Sequence, residues 1–493
     1  MKKKSYIYSI LNNYNKQVLV LLIVTLLTAC SVPKVAQLQT EKQLPKRFDR
    51  KNDSVQTGSE FNGVTTQTYF KDPKLEKLLA QALLQNPDYL IMQERIKIAN
   101  SQLKVAKLAL LPSLDIVAEG SGTHYGKYTM DGVGNYDTNF SQNISDDQRI
   151  ATDVTPNYFL GARVSWEADL WGRLSNKKRA ALQRYMASQQ GVKLLQARLL
   201  TDIADLYYKL VALDRQASIF NENLKTQERA LDIISAQRSV GKATELAVQQ
   251  FEAQKDNILS HVRQISLSID QTEKALLSLI GQYGGTIDRS TKFISGHLEV
   301  LNQKIAVDSV IHSRPDVREA YYKFAATHAS ARSARAAFFP KLTLGAYGGL
   351  NSFSFPTFFD TGSLAWQLLG GLSAPVFNRG QIKQQFFAAN KQQQIAFYNY
   401  QNAVTTSFNE LSALLHRTEA FEEVLKYKNE EIKHLDIAVN VANDLYLSGY
   451  ANYLEIISAQ KNKLQAELDY VDIQLENARS QVQLYKALGG IIK

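Results

Sequence analysis

Two kinds of hydrophobic pattern run along this chain, and each of them occurs twice. In residues 195–210 and 404–415 the apolar side chains recur every three or four positions, which is the spacing of one face of an α-helix. In residues 158–168 and 363–374 apolar and polar side chains alternate, as is typical of a β-strand between two environments. The patterns predict long helices and short strands that recur in the same order.

The recurrence extends to individual prolines, which indicates an internal repeat. Pro87, within Asn-Pro-Asp, lies 25 residues before Pro112, and Pro315, within Arg-Pro-Asp, lies 25 residues before Pro340. Proline suits the first turn of a helix and disrupts the interior of one. Each interval therefore predicts a helix that begins at the first proline and ends before the second.

Matched glycines continue the repeat. Gly241 and Gly449 each follow an earlier glycine at an interval of 69 residues. The intervening residues, 173–240 and 381–448, contain no proline and predict one helix each, which at ~1.5 Å per residue would be on the order of 100 Å long. Such helices must pack side by side in a bundle or coiled coil. We interpret Gly241 and Gly449 as the points where a left-handed residue ends the helix and reverses the chain.

Four segments are predicted as strands, and their alternation has two explanations. They form either a soluble sheet packed on a helix or transmembrane strands of ~9–11 residues. Four strands leave two open edges, which hydrocarbon does not tolerate, so membrane strands would require the chain to oligomerise. The segments are 113–119 and 158–168 around an acidic loop (124–157), and 341–349 and 363–374 around a shorter Phe-rich loop (350–362).

The N-terminus has the organisation of a secretory signal. Lysines precede an apolar stretch from Val18 to Leu27 that is too short to span a bilayer. The ending Leu-Thr-Ala-Cys resembles the lipobox of bacterial lipoproteins, which implies cleavage before Cys30 and acylation of that cysteine; the alternative is an ordinary buried cysteine. We therefore expect a signal peptide at 1–29 and a tether or belt at 30–66. With no second cysteine, the chain cannot form an internal disulfide.

Composition and motifs argue against nucleic-acid binding and catalysis. Loss of residues 1–29, with four lysines and no acidic residue, lowers the net charge from +10 to +6, which is not the concentrated basic patch of a nucleic-acid binder. The seven histidines include no pair at metal-ligand spacing, and no Gly-x-Ser-x-Gly or P-loop motif occurs. We expect no enzyme, no metal site and no cofactor other than the covalent lipid on Cys30.

Short motifs in a fixed order resemble the TolC-like outer-membrane efflux factors, and the lipoprotein branch (the NodT or OprM type) is most similar. The resemblance covers nearly all of residues 66–490, and it rests on the order and spacing of the motifs together. They begin at Phe70, Asn86, Ser165, Arg314 and Gly449 and read Phe-Lys-Asp-Pro-Lys-Leu, Asn-Pro-Asp, Ser-Trp-Glu-Ala-Asp-Leu-Trp-Gly-Arg, Arg-Pro-Asp and Gly-Tyr-Ala-Asn-Tyr-Leu.

The resemblance implies a mainly α fold with a small β part. Three chains would share one twelve-stranded β-barrel in the outer membrane and one α-barrel of long helical hairpins in the periplasm. The first structural repeat would occupy 67–290, with its hairpin tip near 241, and the second 291–493, with its tip near 449.

The same resemblance implies a passive exit duct. The homotrimer, lipid-anchored in the outer membrane, would dock to a periplasmic adaptor protein and an inner-membrane pump, which we expect to be driven by protons. Two alternatives stay open: the outer-membrane component of a type I polypeptide secretion system, and a lipid-anchored coiled-coil adaptor or scaffold. The sequence names no cargo.

The resemblance also implies a gate at the periplasmic tips, where the hairpins reverse. Tyr446, Glu455 and Lys461 match gate positions of the family, and we call these three residues the candidate gate. Two further positions that are usually acidic hold Ala247 and Ser458 here. Only part of the family's charge network is therefore expected, and Glu455 could equally be a solvated residue on a helix face.

Overall fold

The structure is a computed structural model that describes residues 33–36, 44–45, 66–294 and 307–490. Cys30, the predicted signal peptide and most of the predicted tether lie outside these residues. Contacts divide the chain into two compact units, and each unit takes segments from both sequence repeats. Among the described residues, the first unit consists of 33–36, 100–183 and 324–396, and the second of 44–45, 66–99, 184–294, 307–323 and 397–490.

The helices of the two halves match in order and in length, which confirms the helices predicted from the prolines and glycines. In each half a helix of 22 residues precedes two strands, a helix of 67 residues and a helix of 35 residues. The first half contains α1 (Thr66–Phe70), α2 (Pro73–Gln85), α3 (Pro87–Leu108), β1 (Ser113–Thr123), α4 (Met130–Thr138), β2 (Thr155–Ala168), α5 (Arg173–Ser239) and α6 (Glu245–Leu279). The second contains α7 (Val307–Ser313), α8 (Pro315–Ala336), β3 (Lys341–Ser352), β4 (Leu364–Ser373), α9 (Gln381–Leu447) and α10 (Tyr453–Ala487).

The first unit contains one antiparallel sheet of four strands in the order β1-β2-β3-β4. Directly paired residues share a face of a sheet, and the register therefore gives this sheet one apolar and one polar face. Trp166 pairs with Leu344 on the apolar face, whereas Arg163 on the polar face forms an ion pair of 3.5 Å with Glu119. The two environments predicted from the alternation are thus present, and β1 and β4 are open edges.

The second unit is built around a core of buried tyrosines and aliphatic residues. The hydroxyl of Tyr69 donates to the backbone oxygen of Gln481 at 2.8 Å, and that of Tyr207 donates to Asp72 Oδ2 at 2.8 Å. Asp72 also caps α2, because its other carboxylate oxygen accepts from the backbone N–H of Lys74 at 3.0 Å. These bonds satisfy polar groups inside the core and tie the start of the chain's helical part to α5 and α10.

Two regions that the sequence predicts to be irregular contain helices. An irregular belt is expected over residues 282–310, but residues 307–310 of it belong to α7. This helix buries three apolar side chains, Val307, Val310 and Ile311. The acidic loop between β1 and β2 contains α4. Within the described residues, no helix is both long enough and apolar enough to cross a membrane.

A buried arginine links three helices of the second unit. Arg314 is 3% exposed and pairs with Asp316 at 2.8 Å and Glu410 at 2.6 Å, and its guanidinium also donates to the backbone oxygen of Ala487 at 3.3 Å. Burial alone would raise the pKa of Asp316, but the hydrogen bonds and charge of Arg314 outweigh it and hold that pKa below its usual value. The start of α8 is thereby joined to α9 and to the end of α10.

We predict that Arg314→Met lowers the stability of the second unit by about 3 kcal/mol at neutral pH, because two partly buried carboxylates lose their cation. A folded-state pKa that is lowered adds stability above the ordinary pKa of the group, and this stability is lost as the pH falls through the lowered value. The difference in stability between the variant and the wild type, measured by thermal unfolding, should therefore become smaller below about pH 4. Arg318→Met on the same helix, where the arginine is exposed, should change little; a constant difference at all pH values would contradict the assignment.

Candidate functional site at the hairpin tips

Both long helices end in the same left-handed turn. Gly241 has φ +74° and Gly449 has φ +80°. In the first turn the N–H of Lys242 donates to the backbone oxygen of Gln237 at 2.8 Å, and in the second the N–H of Tyr450 donates to that of Leu445 at 2.9 Å. These bonds close the C-terminus of each helix in the manner of a Schellman motif, so the chain reverses at both glycines through a left-handed residue.

The return helices start with matching caps. Thr244 accepts from the backbone N–H of Ala247 at 3.2 Å, and Asn452 accepts from that of Leu454 at 2.8 Å. The repeat-related Leu246 and Leu454 are 61% and 48% exposed, whereas residues two positions further on, Val248 and Ile456, are buried. Each tip therefore has a capped return helix and an exposed leucine at the equivalent point of the repeat.

The second hairpin packs against the first near the tips, within the second unit. The buried side chains Ile234, Ala247, Val248 and Phe251 of the first hairpin form a cluster on which Tyr446, Tyr453 and Ile457 of the second hairpin pack. We call these seven residues the tip contact. The tip contact joins residues from both sequence repeats, so it holds the two repeats together at this end.

Tyr446 adds a directed bond to the tip contact. Its hydroxyl donates a hydrogen bond to Gln237 Oε1, on the last turns of α5. Burial raises the pKa of the Tyr446 hydroxyl, with a smaller opposing effect of the bond to Gln237, and the hydroxyl therefore stays protonated and able to donate at physiological pH. Of the candidate gate, this is the residue that the structure ties to another hairpin.

The two tips differ at the positions that correspond to Tyr446 and Tyr453. In the first hairpin these positions hold Arg238 and Glu245, which form an ion pair of 2.6 Å across the turn. Both partners are about half exposed, so this pair is worth at most ~1 kcal/mol. The first tip thus has an ion pair across its own turn, whereas Tyr446 and Tyr453 at the matching positions of the second tip pack on the first hairpin. Gly241 and Gly449 are 208 positions apart, and the same interval relates Arg238 to Tyr446 and Glu245 to Tyr453. The sequence alone could therefore have revealed that the two tips differ at these positions.

The other members of the candidate gate lie on the surface. Glu455 and Lys461 are exposed, and among the described residues neither has an ion-pair partner in this chain. The two positions that depart from the family pattern differ in burial: Ala247 is fully buried in the tip contact, whereas Ser458 is exposed. A carboxylate at 247 would have no water around it, which gives a physical reason for the alanine.

The tips, like the rest of the part of the chain that the structure describes, lack a cluster of metal-ligating side chains. No group of three or more histidine, cysteine, aspartate or glutamate side chains there could hold a metal ion. The arrangement at the tips is one of packing, a hydrogen bond and surface charge. It holds the two hairpins together at this end.

Comparisons of the sequence with known proteins agree on one family. The family model described as outer membrane efflux protein matches residues 78–282 and 306–490. The probable outer membrane lipoprotein SilC of Salmonella typhimurium is 25% identical over 451 residues, which cover 91% of this chain and 92% of SilC. The toluene efflux pump outer membrane protein TtgF of Pseudomonas putida is 27% identical over 432 residues, which cover 86% of this chain and 85% of TtgF.

A comparison with solved structures agrees on the fold. The open state of the MtrE outer membrane channel of Neisseria gonorrhoeae matches with a TM-score of 0.78 at 24% identity, over 93% of this chain and 98% of that one. The long hairpins and the short sheet are thus shared with an outer membrane channel.

We predict that Ala247→Asp opens the first tip, because an unpaired carboxylate in the tip contact costs several kcal/mol. Limited proteolysis should then cleave near Gly241 faster than in the wild type, and backbone amides of the last turns of α5 should exchange faster with deuterium. Ser458→Asp is the matched control, since it adds the same group at a position of the second tip that water reaches. Equal protection of the two variants would contradict the burial of residue 247.

Proposed function

Since this chain belongs to the outer membrane efflux protein family and is the outer-membrane exit duct of an efflux system, we propose that three copies form the duct and are anchored by a lipid on Cys30. The duct receives its cargo from an inner-membrane pump, driven by protons, through a periplasmic adaptor protein. The family is one of channels and not of enzymes. The pump supplies the energy and selects the cargo, and this chain supplies the passage.

The open sheet is the single observation that carries the proposed trimer. In hydrocarbon, each backbone N–H or C=O without a partner costs several kcal/mol, and β1 and β4 both have a free edge. The side chains on the apolar face of β4 are strongly exposed, as expected of a surface that meets lipid. Pairing of β4 with β1 of the next copy closes the sheet, and three copies of four strands give a barrel of twelve. The exposed residues on this face of β4 are Leu364, Trp366, Leu368 and Leu372.

The tips supply the surface for the adaptor. Leu246 and Leu454 are exposed at equivalent points of the two hairpins, and Tyr450 is 83% exposed beside the second turn. Exposed apolar side chains that recur by symmetry are suited to a partner that also repeats around the axis. Six such leucines would ring the end of a trimer.

The tip contact supports a gate at the same end. Tyr446 holds the second hairpin to the first through one hydrogen bond and one ring, an arrangement that can be undone without unfolding either hairpin. Three copies of Glu455 around an axis would give a ring of carboxylates that attracts cations. Because Glu455 has no ion-pair partner within the described part of its own chain, its influence on the passage would act across copies.

We predict that purified, acylated wild-type protein forms discrete channels of low conductance in a planar lipid bilayer. Tyr446→Phe keeps the ring but removes the donor to Gln237, and we expect a higher single-channel conductance. Glu455→Gln should also raise conductance and should lower the preference for cations. Tyr283→Phe, at an exposed tyrosine outside the tips, is the control. Unchanged conductance and selectivity in both tip variants would remove these residues from the gate, and absence of any channel would contradict the duct.

We further predict that cells grown with labelled palmitate incorporate the label into this protein through Cys30. Cys30→Ser should abolish the label and leave the signal peptide uncleaved, since Cys30 is the only cysteine of the chain. Cys30→Ser that still carries the label would overturn the lipid anchor. The measurement is autoradiography of the immunoprecipitated protein, with its mass compared with that of the wild type.

A further inference from the structure

The loop that follows the edge strand β1 carries an apolar face that its own chain does not cover. Met130, Val133, Tyr136 and Phe140 follow one another at helical intervals of three and four residues, in and directly after α4. Their exposed fractions are 93%, 56%, 60% and 68%. Four large apolar side chains on one side of a short helix form a patch of the kind that marks a contact with another molecule.

The opposite side of α4 is the side that its own chain holds. Asn139 donates to the backbone oxygen of Ile150 at 2.8 Å and accepts from the N–H of Ile150 at 2.9 Å. Asn135, one turn earlier, contacts Thr155 Oγ1 at 3.4 Å. With ~100° between successive residues, these two asparagines lie away from the apolar positions of α4. The helix is therefore fixed in place with its apolar face turned from the segment that anchors it.

The loop before the other edge strand, β4, carries a second exposed apolar pair. Phe355 is 63% exposed and Phe359 is 70% exposed. Phe358 between them is buried and contacts the ring of Tyr158, and the hydroxyl of Ser363 donates to the backbone oxygen of Thr357 at 2.7 Å. This loop is thus also held by its own chain while two phenylalanines project from it.

The strand order relates the two loops across copies. Strands β1 and β3 run in one direction and β2 and β4 in the other, so both loops lie at the same end of the sheet. In one chain β2 and β3 separate them. When β4 of one copy pairs with β1 of the next, as in the proposed trimer, the loop before β4 and the loop after β1 become direct neighbours.

We propose that the apolar face of α4, formed by Met130, Val133, Tyr136 and Phe140, docks on Phe355 and Phe359 of the adjacent copy of this chain. This contact rests on the proposed trimer. We call it the clasp, and it would join adjacent copies outside the strand pairing of the barrel. It gives a role to the loop of the first repeat, which is longer than its counterpart in the second. Without it, six large apolar side chains of each chain would remain in water.

A second copy fits the apolar face better than a lipid surface does. Residues 124–157 contain five acidic and two basic side chains, so an anionic membrane surface would repel this loop. The loop before β4 contains one acidic residue, Asp360, whose carboxylate already accepts from the backbone N–H of Gly362 at 2.8 Å. The two loops can therefore approach each other with little electrostatic cost.

Cysteine cross-linking in isolated outer membranes tests the clasp. With Cys30 acylated, the mature chain offers no other thiol. One variant carries Tyr136→Cys and Phe359→Cys, and a second carries Ala118→Cys and Leu368→Cys in the middle of the two edge strands. Each pair is treated with a short bismaleimide and separated on a denaturing gel, where only bonds between chains give dimers and trimers. Ala118 and Leu368 of one chain are separated by three strand spacings and, in the register of the sheet, by four residues along the strands. This puts them about 20 Å apart, beyond the reach of a short linker.

We expect ladders of dimer and trimer from both double variants and from neither single cysteine of the loop pair. A ladder from the strand pair without one from the loop pair would overturn the clasp and leave the trimer standing. No ladder from either pair would contradict the trimer and the clasp together. Quenching of a fluorophore at position 136 by spin-labelled lipid would show that the face meets the membrane instead.

A second measurement does not depend on cross-linking. Phe355→Ser combined with Phe359→Ser should lower the temperature at which the trimer dissociates in detergent, while the far-ultraviolet circular dichroism stays that of the wild type. Tyr128→Ser is the control, because Tyr128 lies in the same acidic loop and is fully exposed but precedes the apolar face of α4. An unchanged dissociation temperature in the double variant would overturn the clasp.

Discussion

The assembly of this protein depends on the backbone N–H and C=O groups at the free edges of two strands, β1 and β4. A sheet of four strands satisfies its inner strands but leaves β1 and β4 with a free edge each. Water can satisfy such edges, whereas hydrocarbon cannot, so a sheet of this size with an apolar face cannot remain a single copy in a membrane. Oligomerisation is therefore part of the fold of this chain.

The internal repeat gives the chain two helical hairpins with similar tips, but the side chains at the two tips differ. The turns at Gly241 and Gly449 have the same backbone conformation, and each is followed by a helix cap and an exposed leucine. The positions beside those turns differ in chemistry, with the ion pair of Arg238 and Glu245 in one hairpin and two tyrosines in the other. The ion pair lies within one hairpin, whereas the two tyrosines pack on the other hairpin, so the two tips are stabilised in different ways.

Different interactions hold different parts of the second unit. Buried ionic groups such as Arg314 fix the ends of helices, because removing one partner would leave a charge without water. The tip contact instead uses rings, small side chains and one neutral hydrogen bond, which can separate without exposing a charge. The helix ends around Arg314 and the tip contact therefore differ in the kind of interaction that stabilises them.

Most helices and strands could be predicted from the amino acids alone, because prolines at helix starts, glycines at reversals and the two hydrophobic periods act within a few residues. The observed ends of α5 and α9 lie one residue from the predicted ones. The helix α7 escaped prediction, because its stability comes from the burial of three apolar side chains in the folded chain. The contacts at the tips required the folded chain. Resemblance singles out Tyr446, but its partner Gln237 lies 209 positions away, and the burial of Ala247 depends on which face of one hairpin rests on the other. A hydrophobic period indicates which face of a helix is buried, but it does not identify the helix that packs on that face. The contacts between helices are therefore decided by the tertiary structure.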